Sequence, residues 1–376
     1  MPRLRTSDPS LPGWRRRRRG RGFSYEDERG APLVDPAALE RIRGLAIPPA
    51  WREVWICPWP NGHIQAIGVD AAGRRQYLYH PAWREARDAE KFERMLEVAR
   101  ALPRLRAVVA EDLVRDDLPR ERVLACATRL LDRCFFRIGG EAYAEENETF
   151  GLATLQRRHV QLDPPATILF DYVAKGGVER SQRLTDPGAY AVVEALKRRR
   201  GGHELLAWRE GRRWCDVRSS DINRYVREAA GVDATAKDFR TWHATVLGAV
   251  SIAVLGAGAR SERQQTAAIA RAIGEVSHYL GNTPAVCRAS YVDPRVFEHF
   301  RAGRTIAGAL GRLQDLEGDR FDDALAEAER AVVRLLSTEV RRSRRGPGRP
   351  ARRGRGTRPD RPVGSARPAL AAAPRP

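Results

Sequence analysis

The chain lacks several features that would assign it to common protein classes. It has no long apolar run, which argues against a membrane-spanning protein. It has no G-x-x-x-x-G-K-[ST] segment, which argues against a P-loop motor, and no D-x-D pair of the kind that holds magnesium. Any phosphoryl chemistry is therefore expected to need no ATP, no cofactor and no obligatory metal ion.

Cysteine and histidine usage argues against a disulfide or zinc framework. The five cysteines include no C-x-x-C pair, and the seven histidines show no ligand spacing. This usage is typical of buried free thiols in a reducing cytoplasm. The arginine run near the N-terminus is not followed by an apolar segment, so we predict no secretion signal and a cytoplasmic location.

Positive charge is abundant and unevenly distributed. The formal net charge is +19, from 67 Lys and Arg against 48 Asp and Glu, which predicts a polyanionic partner such as nucleic acid. Residues 341–376 hold twelve Arg and one Asp among Gly, Pro and Ala, and predict a disordered basic tail. Residues 1–21, with an unbroken run from Arg15 to Arg19, predict a disordered basic arm. Ribosomal and chromatin proteins share such charge, so charge alone selects no function.

Two patterns divide the rest of the chain. Residues 22–86 contain short apolar and aromatic runs with a turn signal from Asp70 to Gly73, and predict a small antiparallel sheet. Alternation places Tyr77 and Tyr79 on one sheet face, which fits either a packed face or a surface for DNA. From about residue 87 helical spacing dominates, and the predicted helices cover residues 91–99, 119–131, 221–230, 239–255 and 262–276.

Residues 279–291 carry a candidate nucleophile. Thr283 followed by Pro284 predicts a helix N-cap, with the helix running towards Tyr291 and ending before Pro294. Asn282 then lies in a loop outside the helix, from which it could reach the same phosphate as Tyr291. The alternative is a surface helix with a structural tyrosine.

Three cations elsewhere supply what a tyrosine nucleophile needs. A phenol attacks a phosphodiester only where fixed cations stabilise the charge on the phosphate oxygens. Arg137 follows two phenylalanines and precedes a Gly-Gly turn, and Arg240 lies near the start of a predicted helix. Lys175 lies in the predicted turn between strands at residues 167–173 and 178–184. The structural alternatives are a solvated lysine and an ion pair of Arg137 with one of the glutamates Glu145, Glu146 or Glu148.

The order and local sequence of these residues resemble the type IB DNA topoisomerases of poxviruses and bacteria. The segments that carry the resemblance are IPPAW at 47–51, DAAGRRQYLYH at 70–80 and FFRIGGEAYAEENETFGLATLQRRH at 135–159. The resemblance covers residues 22–340. It implies an α+β protein with a small, mainly antiparallel-β N-terminal domain at 22–86 and a larger, mainly α-helical catalytic domain at 87–340. It also implies a β-hairpin in the catalytic domain. The two domains would form a C-shaped clamp around duplex DNA, and the protein would act as a monomer in the nucleoid.

The resemblance also implies residue roles. Tyr291 would form a 3′-phosphotyrosyl intermediate, Arg137 and Arg240 would hold nonbridging oxygens, Lys175 would protonate the 5′ oxygen and Asn282 would donate a hydrogen bond. The residues expected to contact DNA elsewhere are Gln76, Tyr77, Tyr79 and Tyr143.

The chain departs from the poxvirus pattern at two positions. Asn282 replaces a histidine, and a neutral amide can donate a hydrogen bond but cannot carry a proton near pH 7. Gly140 replaces a lysine that helps to read the preferred site, so we expect weaker sequence preference. The alternatives are a tyrosine recombinase, which would carry a histidine in place of Lys237 and a different, helical N-terminal domain, and a non-catalytic architectural DNA-binding protein.

Overall fold

The structure is a computed structural model that describes residues 3–141, 144, 148–314 and 321–339. The predicted basic tail at 341–376 and the predicted DNA contact Tyr143 lie outside the described residues.

An antiparallel sheet of five strands forms the N-terminal region, in the order β2-β1-β3-β4-β5. Its strands are β1 (Trp14–Arg19), β2 (Gly22–Glu26), β3 (Arg52–Ile56), β4 (Ile64–Val69) and β5 (Arg75–Tyr79). The predicted turn between β4 and β5 is confirmed, because the Asp70 carboxylate accepts from the backbone N–H groups of Ala72 and Arg74 at 3.0 and 2.9 Å. Gly73 in this turn has a φ of 76°, which glycine adopts without steric cost.

The prediction of a disordered arm at residues 1–21 is wrong for the arginine run. Arg15–Arg19 form most of β1, which pairs with β2 along its length and with β3 at Trp14 and Arg15. The physical reason is that successive side chains of a strand point to opposite faces of the sheet, which separates the charges of neighbouring arginines in β1. The Arg16 guanidinium donates to the carbonyl oxygens of Ile47, Pro48 and Trp51 at 3.2, 3.0 and 2.7 Å, so its donors are satisfied by the loop that precedes β3.

Two separate apolar cores underlie the two regions. A small core of Ile42, Val54, Ile56 and Ala66 lies between the sheet and helix α1 (Pro36–Gly44). The larger core begins at Phe92 of helix α2 (Pro81–Leu113) and continues through the helical region. The predicted boundary near residue 86 falls inside α2, so the division into domains stays a prediction.

The helical region confirms the α+β fold class. After α2, its helices are α3 (Arg120–Cys134), α4 (Pro187–Arg198), α5 (Ser219–Ala230), α6 (Ala236–Leu255), α7 (Glu262–Leu280), α8 (Pro284–Ser290), α9 (Arg295–Arg301), α10 (Ala307–Gln314) and α11 (Phe321–Leu336). Short 3₁₀ turns occupy Leu152–Thr154 and Arg157–His159. Helix α6 packs against α7 on one side and α2 and α3 on others, and it is buried along most of its length. Within the described ranges, no helix has both the length and the apolar character that a bilayer crossing requires.

Two small β-elements interrupt the helices. Strands β6 (Val160–Asp163), β7 (Thr167–Ala174) and β8 (Val178–Thr185) form one sheet, and β9 (Ala207–Glu210) pairs with β10 (Arg213–Asp216). Ala174 pairs with Val178, so the β7–β8 turn consists of Lys175, Gly176 and Gly177, as predicted. Both glycines have positive φ angles, 85° and 72°, which explains why the turn needs this residue type.

Candidate active site

The junction between α7 and α8 places Asn282 in a loop. Gly281 ends α7 in the left-handed conformation, and the Asn282 N–H donates to the Ser277 carbonyl at 3.2 Å. Thr283 caps α8 by accepting from the Val286 N–H at 3.3 Å, with Pro284 at the first helical position. The predicted cap, the helix towards Tyr291 and the loop position of Asn282 are therefore confirmed.

Tyr291 ends α8 and is held to α6 through its backbone. Its N–H donates to the Cys287 carbonyl at 3.0 Å. Its carbonyl accepts from the Thr245 hydroxyl of α6 at 3.2 Å, and that hydroxyl accepts from the Asp293 N–H at 3.1 Å. The half-buried Tyr291 side chain packs against the large core. These contacts make Tyr291 part of the helical core rather than a mobile surface residue.

Arg240 lies beside the Tyr291 ring. Its guanidinium carbon is 5.3 Å from the ring centroid, and only 4% of the residue is exposed. One terminal nitrogen donates to the Leu280 carbonyl at 3.0 Å, and the other donates to the Phe135 carbonyl. Arg240 therefore connects the end of α3 to the end of α7 while facing the phenol.

Arg137 also contacts the junction between α7 and α8. Its guanidinium donates to the Gly281 carbonyl at 3.0 Å and to the Asn282 side-chain oxygen. The left-handed conformation of Phe135, with φ of 55°, ends α3 and redirects the chain so that Phe136 enters the core. The alternative partners Glu145 and Glu146 lie outside the described residues, and no ion pair joins Arg137 to Glu148, which is described.

The electrostatics of the site favour an anion. Burial lowers the pKa of Arg240, the nearby charge of Arg137 lowers it further, and the Tyr291 phenol acts in the opposite direction. The bonds of the two guanidinium groups described above go to carbonyl and amide oxygens rather than carboxylates. Among the described residues, the buried Nε of Arg240 and Nδ2 of Asn282 have no hydrogen-bond partner. Two adjacent cations and two unsatisfied buried donors suit a phosphate group.

Lys175 occupies a different position from these four residues. It is exposed at the tip of the β7–β8 hairpin. Sequence reasoning missed Arg180 of β8, which donates to the Tyr279 and His278 carbonyls at 2.7 and 3.3 Å and so ties the hairpin to the end of α7. The missed Phe135 carbonyl, which orients Arg240, had no signal in the sequence because any residue supplies that group.

Comparison with known proteins assigns this arrangement to a family. Residues 80–307 match the family described as eukaryotic DNA topoisomerase I, catalytic core. The chain belongs to the type IB DNA topoisomerases. Residues 22–70 match the N-terminal domain of bacterial DNA topoisomerase IB. The enzyme therefore acts on duplex DNA, and the tyrosine recombinase alternative, which predicted a different N-terminal domain, is wrong.

Three relatives show how far the similarity extends. DNA topoisomerase 1B of Acanthamoeba polyphaga mimivirus is 28% identical over 288 residues, 75% of this chain and 85% of the relative. DNA topoisomerase 1B of Vaccinia virus (strain Copenhagen) is 28% identical over 163 residues, 41% of this chain and 52% of the relative. DNA topoisomerase 1 beta of Arabidopsis thaliana is 27% identical over 161 residues, 42% of this chain but only 16% of the relative.

A buried network of charged side chains packs behind the topoisomerase site. Arg106 of α2 binds Asp132 of α3 at 2.8 Å and Glu329 of α11 at 2.6 Å. His243 of α6 lies 3.2 Å from Asp132 and contacts the Phe135 ring edge-on at 5.5 Å. Burial raises the pKa of Asp132, but hydrogen bonds with His243 and Arg106 outweigh burial, and the pKa lies well below its ordinary value. His243 therefore packs against Phe135, whose carbonyl oxygen orients Arg240.

The predicted DNA contacts on β5 lie on two faces of the sheet. Tyr77 and Tyr79 are 39% and 36% exposed, and their rings stack with centroids 6.0 Å apart, which confirms their shared face. Their exposure disfavours the alternative of a packed face. Gln76 points to the opposite face and donates to Asp70 at 3.0 Å. Among the residues that the structure describes, no three His, Cys, Asp or Glu side chains are grouped so that they could hold a metal ion.

Proposed function

We propose that Tyr291 is the nucleophile of a reaction that nicks and reseals one strand of duplex DNA. Its phenol oxygen attacks a backbone phosphorus, the bond from phosphorus to the 5′ oxygen breaks, and a 3′-phosphotyrosyl ester and a free 5′-hydroxyl form. Religation is the reverse reaction, in which the 5′-hydroxyl attacks the phosphotyrosine and releases the phenol. The observation that carries this proposal is the convergence of Arg137, Arg240, Asn282 and Tyr291 around unsatisfied buried donors.

Arg137 and Arg240 hold the nonbridging oxygens in this proposal. Charge grows on those oxygens as the phenol approaches, and fixed guanidinium groups in a partly buried site stabilise it without reorganising. Each guanidinium has five N–H donors, so the bonds to backbone carbonyls position the group and leave other donors for phosphate. The free Nδ2 of Asn282 adds a neutral donor but no proton transfer.

Lys175 acts as the general acid to the 5′ oxygen. A lysine ammonium can donate a proton to a developing alkoxide. Its exposed position on a two-glycine turn supports movement into a DNA groove, and the Arg180 contacts keep the hairpin near the end of α7. The proposal therefore combines a nucleophile held by the helical core with an exposed cation on a two-glycine turn.

No external energy source is needed in this proposal. One phosphoester replaces another, so the free energy of the broken bond is retained in the covalent intermediate. Supercoil strain then drives rotation of the free strand before religation. Because the arginines stabilise the phosphate charge, the proposal assigns no step to ATP or to a metal ion.

Around this chemistry we infer a monomeric, C-shaped clamp that works on the nucleoid in the cytoplasm. The exposed Tyr77–Tyr79 pair supports a DNA-contacting role for β5, and Gln76 is proposed as a DNA contact from the resemblance alone. Tyr143 is proposed from the resemblance alone. Gly140, which carries no side chain to read a base, supports weak sequence preference.

The test is relaxation of plasmid DNA in EDTA without ATP, comparing the parent with Tyr291→Phe. We expect the parent to relax both negative and positive supercoils and to form a detergent-trapped covalent adduct, and we expect Tyr291→Phe to do neither. A parent that binds DNA without relaxing it or forming an adduct would leave only the architectural alternative.

A further inference from the structure

Alternate arginines of β1 lie on the same sheet face as Tyr77 and Tyr79, with the buried Ile67 between them. Residues paired across an antiparallel sheet point to the same face. Tyr77 pairs with Ile67, Ile67 with Trp55, and Trp55 with Arg15. Arg15 therefore shares a face with Tyr77, and alternation along β1 puts Arg17 and Arg19 on that face as well. We call the set Arg15, Arg17, Arg19, Arg75, Tyr77 and Tyr79 the arginine–tyrosine face.

The opposite face of the sheet is used for packing. It carries Ile56 and Ala66 of the small core, and Trp14, which pairs with Ile56, packs there too. Arg16 covers the Phe23 ring at 4.2 Å on that side, in addition to its bonds to backbone carbonyls. All six residues of the arginine–tyrosine face are exposed. The arginine run is thus divided between a structural face and a solvent face.

The dimensions of this face suit the backbone of duplex DNA. Neighbouring strands lie about 4.8 Å apart, so Arg15, three strands from Tyr77, is displaced by roughly 14 Å. The major groove is about 12 Å wide. A sheet that sets Tyr77 and Tyr79 against one edge of the groove would therefore bring β1 to the phosphates of the other edge.

The charge of the face is available to phosphates. Arg75 lies 6.0 Å from the Tyr77 ring centroid, which adds a cation next to the aromatic pair. Arg17 pairs with Glu26 at 2.8 Å, but 53% of its side chain is exposed, and exposed ion pairs contribute at most about 1 kcal/mol. A phosphate can therefore replace Glu26 as the partner of Arg17.

We propose that Arg15, Arg17 and Arg19 bind DNA phosphates across the groove from the β5 tyrosines, and that Glu26 limits this binding. The proposal rests on the proposed function for the β5 contacts. It goes beyond that function by giving β1 a sequence-independent role in holding the duplex, separate from cleavage.

The test measures binding of a fluorescent duplex to full-length Tyr291→Phe enzyme at increasing salt. Each phosphate contact adds about 0.9 to the slope of log Kobs against log salt. We expect Arg15→Gln, Arg17→Gln and Arg19→Gln together to lower the slope by about 2 to 3. Arg18→Gln is the matched control, because Arg18 is also exposed but pairs with Phe23 on the other face. We expect that control to keep the parent slope, and Glu26→Gln to bind more tightly than the parent.

Two results would overturn the proposal. One is an unchanged slope in the combined variant, and the other is an equal loss in Arg18→Gln, which would mean that charge acts without regard to the face. Unfolding curves from circular dichroism establish that each variant is folded. Adduct formation by the parent tests the catalytic proposal independently, so the two proposals can fail separately.

Discussion

The N-terminal sheet and the helical region use arginine in opposite ways. In the sheet, Arg15 and Arg17 are exposed, and only Arg16 is committed to backbone carbonyls. In the helical region, Arg240 is buried, and its terminal nitrogens bond to carbonyls that hold it beside Tyr291. The difference shows that the surroundings of an arginine decide how it can bind phosphate. Exposed arginines can bind many phosphates weakly, whereas a buried, oriented arginine can bind one phosphate in one geometry.

Lys175 tests this comparison, because it is an exposed cation with a proposed role in the chemical step. We expect Lys175→Ala to slow single-turnover cleavage by about 10²- to 10⁴-fold, the usual contribution of a general acid. A substrate with sulfur in place of the bridging 5′ oxygen should restore the rate, because a thiolate leaves without a proton. The measurement is adduct formation over time with both substrates.

Arg183→Ala is the matched control, since Arg183 is an exposed cation on the same hairpin, 3.6 Å from Asp163. It should cleave at the parent rate. Sulfur substitution that fails to rescue Lys175→Ala would contradict the role of general acid.

Arg240→Lys sharpens the comparison by keeping the charge and removing the planar geometry. We expect about a 10²-fold slower cleavage, because a lysine cannot keep both carbonyl contacts and still face the phosphate. Arg16→Lys makes the same change in the sheet, where it should lower the free energy of unfolding by about 1 to 3 kcal/mol. Single-turnover rates at saturating enzyme and urea unfolding curves separate the two effects. Equal rates for Arg240→Lys and the parent would show that charge alone suffices.

Asp132→Asn tests whether the helical region depends on buried charge for stability. Because the pKa of Asp132 is depressed in the folded protein, the ionised carboxylate stabilises the fold at pH values above its ordinary pKa of 3.8. This stabilisation is lost as the pH falls further. We expect a loss of about 3 to 5 kcal/mol at pH 7, since Arg106 and His243 would lose a buried anionic partner. The loss should shrink in acid, as followed by urea unfolding at several pH values.

The exposed pair of Arg87 and Glu90, at 2.6 Å, provides the control. Glu90→Gln should change the unfolding free energy by less than about 1 kcal/mol. An equal loss for the two variants would contradict the difference between buried and exposed charge.

Local sequence signals predicted the elements that depend on a few neighbouring residues. Thr283 and Pro284 predicted the start of α8, and Gly176 and Gly177 predicted the β7–β8 turn. These predictions succeed because capping and turn geometry are decided by backbone dihedrals and bonds within a few residues. The five proposed catalytic residues came instead from the resemblance, and their roles stay predictions.

The failures have a different origin. The arginine run lacks apolar residues, so composition favoured disorder, yet β1 forms because β2 and β3 supply its hydrogen bonds. Likewise, no pattern in the sequence indicates that the Phe135 carbonyl accepts from Arg240, 105 residues away, or that Arg180 holds the hairpin to α7.

The sequence by itself determined the chemistry that is available: a phenol, two guanidinium groups, an ammonium and an amide, on a chain with a large positive charge. Only the tertiary structure decided which arginines are buried and oriented and which face solvent. The reason is that burial and long-range hydrogen bonds depend on elements far apart in the chain, whereas residue type and local dihedral preference do not.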